Sequence, residues 1–184
     1  MAGGVTSQIS GDGLGGWDKF GLYAGGWVLM PFSENTGLML GMKYINKGSR
    51  TKQDSITFQS FGYYLNYIDV PLLFSYTTRT REKTSLEILI GPYIGYLLNQ
   101  KIISNSMDRE IIPAFESLDI GAEVGVKWNV SENVGITGLL TSSILPTRPN
   151  PAQVNPLSYY EKGNYNQTIQ LGLYLRFGKK QIAG

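Results

Sequence analysis

The side chains best placed to do chemistry are six charged residues, because the chain contains neither histidine nor cysteine. They comprise three acids and three bases on the polar faces of segments with alternating hydrophobicity: Lys43, Asp69, Glu87, Glu123, Lys127 and Arg176. Two carboxylates could form a general acid–base pair, and a row of charged side chains could form a path for ions. Because buried charges need partners, we favour a third interpretation, in which mutual salt bridges fill a narrow interior.

The missing residue types exclude several classes of enzyme. Without histidine there is no Ser-His or Cys-His nucleophile pair and no HExxH zinc site, and without cysteine there is no disulfide or thiolate site. The glycine-rich segment Gly11–Gly16 lacks the Lys-Ser/Thr ending of a phosphate-binding loop. The net charge is +2, and the Lys and Arg residues are scattered without forming the basic stripe of a nucleic-acid-binding surface. We therefore predict a non-enzymatic protein with no catalytic, cofactor-binding or metal-binding residues and no nucleic-acid partner.

The elements that would position the six charges are β-strands, because hydrophobic residues alternate with period two. Along Leu118–Val130 every even position is apolar, and the odd positions are small, polar or charged. Pro71 and Pro92 lie within such segments, and each should mark a bulge or a local break in the sheet. The predicted strands are Gly3–Ile9, Phe20–Phe32, Gly37–Lys47, Tyr63–Tyr76, Leu86–Leu98, Leu118–Val130, Val134–Leu145 and Thr168–Phe177.

The connections between these segments alternate in length. Ser33–Asn35 and Ser131–Asn133 are short, and Thr77–Ser85 is a modest polar stretch. Short turns on one side and long loops on the other are typical of outer-membrane barrels, whose short turns are periplasmic. We predict an all-β fold, an eight-stranded antiparallel up-and-down transmembrane β-barrel, as a single domain over residues 1–184. The longer connections are Ser10–Lys19, Gly48–Ser60, Asn99–Ala114 and Pro146–Gly163.

The spacing of aromatic residues fits a bilayer. Phe20 and Phe32 share one face of a strand and lie twelve residues apart, as do Tyr64 and Tyr76. Twelve residues rise ~40 Å along a strand, or about 30 Å vertically when it is tilted, slightly more than the roughly 25 Å apolar band of such barrels. These residues are predicted to form two aromatic girdles.

The soluble alternative is a lipocalin-like barrel, which is apolar inside and polar outside. Here the polar face is rich in glycine and paired charges, which suit a narrow interior, so we favour the membrane barrel. The first residues, Met1–Gly4, lack a basic region and an apolar region, and we expect that a signal peptide is already absent. The predicted location is the bacterial outer membrane.

Four segments resemble a known family. Tyr67–Leu73 has the pattern aromatic, aliphatic, acid, aliphatic, Pro, Leu, Leu, and it resembles the PorT-like outer-membrane β-barrel family of the Bacteroidetes. Gly4–Gly13 with Trp17–Gly21 is similar to the opening of that family, Gly91–Leu98 to its central strand, and Gln170–Phe177 to its closing strand. The resemblance implies a location and a fold, and it carries no catalytic residues. The namesake of the family is an accessory of the type IX secretion system.

Two functional hypotheses follow. In the first, the barrel is a subunit of a larger envelope complex for secretion, protein insertion or nutrient uptake, with the lipid bilayer and other outer-membrane or periplasmic proteins as partners. In the second, it stands alone and stabilises the envelope or binds an extracellular ligand. A subunit should show small or polar residues on its outer face, where Asn66 is a candidate. The proline-rich last loop could bind a partner through Pro149, Pro151, Tyr159 and Tyr160.

Overall fold

Every element in the described part of the chain is a β-strand. The described residues contain no helix long and apolar enough to cross a membrane. The computed structural model describes residues 1–12, 14, 16–51, 61–81, 84–104, 107–109, 114–131, 133–149 and 163–177. Its strands are β1 (Ala2–Ser10), β2 (Lys19–Pro31), β3 (Thr36–Arg50), β4 (Phe61–Arg81), β5 (Thr84–Ser104), β6 (Met107–Arg109), β7 (Leu118–Asn129), β8 (Val134–Ser143), β9 (Arg148–Pro149) and β10 (Gly163–Leu175).

The long strands form one closed ring. Their order around the ring is β1-β2-β3-β4-β5-β7-β8-β10, and β10 pairs with β1 from Ala2 opposite Leu173 to Ser10 opposite Tyr165. All pairs are antiparallel, and the two short strands extend the loop end, where β6 pairs with β5 and β9 pairs with β10. The prediction of an eight-stranded antiparallel β-barrel is confirmed.

Several strands run further than the sequence predicts. β3 continues to Arg50, and β5 extends from Thr84 to Ser104. β4 ends at Arg81, so most of the predicted connection Thr77–Ser85 is strand. The reason is that inter-strand hydrogen bonds use backbone groups, which continue beyond the point where one face stops being apolar. The hydrophobic alternation therefore marks the lipid-covered part of each strand better than its full length.

The barrel is apolar outside and polar inside. Phe20, Leu22 and Leu171 are 77%, 69% and 65% exposed, whereas Lys43 and Asp69 on the opposite face are almost fully buried. This distribution is the reverse of a lipocalin-like barrel and suits lipid on the outer wall. Of the four predicted girdle residues, Phe20 at the loop end and Phe32 and Tyr76 at the turn end are exposed on the outer wall, and Tyr64 faces outward half-buried. Further exposed aromatic residues lie at the same two levels, Tyr44 and Tyr96 at the loop end and Trp128 and Phe177 at the turn end.

The two mid-strand prolines interrupt pairing without changing its register. Leu40 lies opposite Leu72, and Lys43 lies opposite Asp69, so the register is the same on both sides of Pro71. A Cβ built on Gly41 would lie 3.1 Å from Cγ of Pro71, so glycine leaves room for the ring. Pro71 therefore marks a local break and not a bulge. The pairing of β4 with β5 shifts register at two other places, between Asn66 and Tyr67 and between Arg79 and Arg81.

Candidate functional site

The centre of the lumen is organised around Lys47. Its Nζ lies 2.9 Å from Oδ2 of Asp69 and 2.9 Å from Oδ2 of Asp119, and all three side chains are fully buried. The ammonium also lies 4.6 Å from the ring centroids of Tyr67 and Tyr93. One cation is thus shared by two carboxylates and two aromatic faces, which together replace its hydration.

Asp119 is the most heavily hydrogen-bonded carboxylate of this group. Its Oδ1 accepts hydrogen bonds from Ser143 Oγ at 2.7 Å and from the Tyr93 hydroxyl at 3.2 Å. Its Oδ2 accepts from Asn166 Nδ2 at 3.0 Å and from Lys47 Nζ at 2.9 Å. The Asp119 carboxylate therefore ties together side chains from β3, β5, β7, β8 and β10, and charge-assisted bonds of this kind are the stronger ones.

A second ion pair lies one layer towards the turn end. Lys43 Nζ donates to Oε2 of Glu123 at 2.5 Å and to Oε1 of Gln170 at 2.9 Å. The side chains of Lys43 and Glu123 are 0% exposed. The two residues belong to β3 and β7, which are not neighbours in the ring, so this pair crosses the lumen.

A third group lies near the short turns. Glu87 forms ion pairs with two cations, through Oε2 with Lys127 Nζ at 2.6 Å and through Oε1 with Arg176 Nη2 at 3.5 Å. The Lys127 ammonium also lies 4.5 Å from the ring centroid of Tyr174. The Arg176 side chain is 29% exposed, so water reaches this end. A cavity of about 630 Å³ adjoins the group and is lined in part by Trp27, Lys127 and Tyr174.

The structure places all six charged residues named from the sequence inside the barrel, but in separate groups. Lys43 meets Glu123, and Glu87 meets both Lys127 and Arg176. The partner of Asp69 is Lys47, which also pairs with Asp119, and neither Lys47 nor Asp119 is among those six. The signal for both was present, because Lys47 lies four residues from Lys43 and Asp119 four from Glu123, on the same faces.

The buried lumenal charges neutralise one another. Each of the four carboxylates has a cationic nitrogen within 3.5 Å, in five ion pairs that connect Lys43, Lys47, Lys127 and Arg176 with Asp69, Glu87, Asp119 and Glu123. Among the described residues no cluster of three potential metal ligands occurs. The chemistry that the geometry supports is mutual neutralisation of charges in a narrow interior.

Aromatic side chains cover the loop end of the lumen. The Arg148 guanidinium lies 4.9 Å from the ring centroid of Phe115 and 5.1 Å from that of Tyr63, and the two rings meet edge to face at 5.5 Å. Arg148 Nε also donates to Asn164 Oδ1 at 2.7 Å. Phe115 and Tyr63 belong to the buried cluster that continues down to Ile45, so the mouth is sealed by packing.

Asp12 lies outside the membrane-spanning segments, in the loop between β1 and β2. Burial raises the pKa of its carboxyl group, although Ser49 Oγ and the Leu14 N–H donate hydrogen bonds to it. The Ser49 bond ties this loop to β3. Asp12 therefore fixes the first loop against the mouth of the barrel.

Only one member of the predicted partner-binding loop is described. Pro149 ends β9, where its backbone lies opposite Gly163 of β10. Pro151, Tyr159 and Tyr160 lie outside the described residues. Partner binding by this loop stays a prediction.

Comparison with known proteins identifies the family. A family model described as "Outer membrane protein beta-barrel domain" matches residues 2–147, which is most of the chain. The chain belongs to this family. As an outer-membrane β-barrel protein it resides in the bacterial outer membrane, as the sequence analysis predicted. The narrower assignment to PorT-like proteins of the Bacteroidetes remains a resemblance.

Solved structures support the same architecture for this outer-membrane β-barrel protein. It is similar to the crystal structure of Ail, the attachment invasion locus protein of Yersinia pestis, with a TM-score of 0.51 and 18% sequence identity. The similarity covers 96% of this chain and 95% of Ail. A second structure, of Ail in complex with the heparin analogue sucrose octasulfate, matches with the same values. No curated protein matches the chain.

Proposed function

We propose that this barrel is a non-enzymatic accessory or structural subunit of a larger envelope assembly, formed by residues 1–184 as a single domain. The resemblance to the PorT-like family makes a type IX-like secretion machine the first assembly to test, followed by insertion and uptake machinery. The observation that carries the proposal is the composition of the outer face of β1.

The outer face of β1 differs from the apolar outer faces of its neighbours. Val5, Ser7 and Ile9 are buried inside the barrel, so the alternate residues of the strand project outward. At the loop end Gln8 Nε2 donates to Oε1 of Gln167 on β10 at 2.6 Å. The outward residues of β1 are all small or polar, Ala2, Gly4, Thr6, Gln8 and Ser10.

This strip has the properties of a packing surface for another protein. A Cβ built on Gly4 would meet no atom within 4 Å, so an open groove runs over this residue. The exposed side chains of Leu22 on β2 and Leu171 on β10 flank it. In membranes small residues allow two backbones to approach closely, and polar side chains hydrogen-bond across the contact. Lipid acyl chains find little apolar contact area on such a surface.

Co-purification tests the subunit role. The barrel, tagged at its C-terminus and extracted from native membranes in mild detergent, should recover other envelope proteins in stoichiometric amounts, identified by mass spectrometry. Gly4→Leu fills the groove and should abolish this recovery. Ala122→Leu, a matched substitution on the outer face of β7, should leave it unchanged. Recovery of the barrel alone in several gentle detergents, or equal recovery by both variants, would contradict the subunit role.

A second candidate is a free-standing barrel that binds an extracellular ligand. The observation in its favour is the sealed mouth, where Arg148 is fixed between Tyr63 and Phe115 and forms a firm base for the long loops. Ail, a barrel of similar fold, has been solved with a heparin analogue. Binding of soluble heparin by the purified barrel would support this candidate, and an absence of binding at low ionic strength would count against it.

A further inference from the structure

A polar patch interrupts the apolar outer wall at the loop ends of β3, β4 and β5. Tyr63 and Leu65 are buried inside the barrel, so Tyr64 between them faces outward. Lys101 lies opposite Tyr64, and a Cβ built on Gly62 would lie 3.4 Å from Arg50 Cγ and 3.1 Å from Tyr64 Cε2. We call this surface the rim patch, and its members are Asn46, Arg50, Tyr64, Asn66, Asn99 and Lys101.

The amides of the rim patch are held in fixed orientations. Asn46 Nδ2 donates to Oδ1 of Asn66 at 2.7 Å and to the Tyr44 hydroxyl at 3.0 Å. Asn46 Oδ1 accepts from the backbone N–H of Leu22 at 3.0 Å. Asn66 in turn lies opposite Asn99, which is exposed next to the register shift of β5. Asn46 uses both of its N–H donors within the wall and orients Asn66, so the outward donors and acceptors of the row belong to Asn66 and Asn99.

A third cation supports the patch from behind. Lys19 Nζ lies 5.0 Å from the ring centroid of Tyr64 and donates to the carbonyl oxygen of Phe20 at 2.9 Å. The pairing of β2 with β3 ends at Tyr23 opposite Ile45, which leaves room for the Lys19 side chain between the two strands. Lys19 therefore fixes the ring of Tyr64 and adds positive charge behind Arg50 and Lys101.

The rim patch lies at the depth of lipid headgroups. Tyr64 is twelve residues from Tyr76 at the turn end, a vertical distance of about 30 Å for a tilted strand. Exposed apolar side chains, including Met42 and Val70, occupy the wall below the patch. Elsewhere at the loop end the outer wall carries apolar residues such as Leu118 and Ile144, and uncharged polar residues such as Gln8 and Gln167. The rim patch differs from both because it combines amides with the cations Arg50 and Lys101.

We propose that the rim patch binds the phosphorylated sugar headgroup of a glycolipid in the outer leaflet. Arg50 and Lys101 would contact phosphate oxygens, because guanidinium and ammonium groups at a membrane surface attract anionic headgroups. The amides of Asn66 and Asn99 would hydrogen-bond sugar hydroxyls, and the apolar wall beneath would receive the acyl chains. That wall is why the ligand is a lipid and not a soluble phosphate. This binding goes beyond the proposed function, since it holds whether or not the barrel has a protein partner.

The test is lipid binding by the purified barrel in phosphatidylcholine nanodiscs. Titration with diphosphorylated lipid A, followed by native mass spectrometry, should give saturable binding that weakens as salt increases. The double variant Arg50→Gln/Lys101→Gln should bind about 25-fold more weakly, at about fivefold for each charge. The matched control, Arg79→Gln/Arg81→Gln, removes two charges at the opposite end of β4 and should bind as the wild type does.

Three outcomes would overturn the proposal. Dephosphorylated lipid A could bind as tightly as the phosphorylated form, or both double variants could lose affinity equally. Glucosamine phosphate without acyl chains could also displace the lipid at equal concentration, which would identify a soluble anion as the ligand. Each variant is first checked for the heat-dependent gel mobility of a folded barrel. If the double variant does not fold, the single variants Arg50→Gln and Lys101→Gln carry the test, with a fivefold loss expected for each.

Discussion

Replacing Lys47 by methionine should destabilise the barrel more than any change to an exposed charge. Methionine keeps much of the volume of the side chain and removes the ammonium shared by Asp69 and Asp119. Both carboxylates are fully buried, so water cannot take over its role. Removing one partner of a buried ion pair costs about 3–5 kcal/mol of unfolding free energy, and we expect Lys47→Met to fall in that range.

Two further variants separate charge from packing. The triple variant Lys47→Met/Asp69→Asn/Asp119→Asn has no charge left in this group, and it should recover most of the loss because the uncompensated carboxylates are gone. Arg176→Gln serves as the matched control for an ion pair open to water. Its side chain is 29% exposed and its contact with Glu87 is 3.5 Å long, so its loss should be about 1 kcal/mol or less.

The measurement is equilibrium urea unfolding in phosphatidylcholine vesicles at neutral pH. The three tryptophans report unfolding by fluorescence, and gel mobility without boiling gives an independent measure of the folded fraction. A loss below about 1 kcal/mol for Lys47→Met would refute the reasoning, because the buried group would then not depend on its cation. A triple variant no more stable than the single variant would show that packing, and not charge, sets the cost.

Three further predictions concern the backbone, the mouth and the lumen. Gly48→Ala should cost about 1–3 kcal/mol of unfolding free energy, because Gly48 has a φ of +139° and a Cβ there would lie 2.0 Å from the Tyr63 carbonyl oxygen. In the same urea assay Gly4→Ala, which meets no atom, should change stability by less than about 0.5 kcal/mol. Phe115→Ala should release Arg148 and speed proteolytic cleavage of the loops, while the heat-dependent mobility of the barrel stays unchanged; equal cleavage rates would contradict the sealed mouth. In planar bilayers the wild-type barrel should show no steady ion conductance, because paired side chains fill the lumen, and regular channel openings would contradict that description.

The sequence predicts the fold well because the membrane imposes a simple alternation on each strand. It predicts the charged interior for the same reason, since Lys43 and Glu123 stand on faces whose opposite sides are apolar. Lys47 and Asp119 share these faces at the ends of the same predicted strands, so the alternation directs both of them inward as well. The pairing between them depends on which strands face each other across the ring, which is information that one strand does not contain.

The rim patch on the outer wall is also a feature that the sequence of a single strand does not predict. Arg50 falls in a loop according to the sequence, because the predicted strand stops at Lys47, whereas β3 continues to Arg50 and places it on the outer wall. The outward direction of Asn99 depends on the register shift opposite Asn66. Such a shift has no clear sequence signal, and the register is unchanged on both sides of Pro71 and of Pro92, the residues that suggested one.

The ion pairs across the lumen have a consequence for how the barrel assembles. Lys43 and Glu123 are 80 residues apart in the chain, and Lys47 and Asp119 are 72 residues apart. In an open sheet these side chains would lie on distant strands, and each charge would face the bilayer or water without its partner. Their attraction therefore contributes to stability only when β10 pairs with β1 and the ring closes. A half-formed sheet is consequently unstable in the membrane. Insertion and closure should occur as one event, and a chain that lacks β10 should remain outside the bilayer.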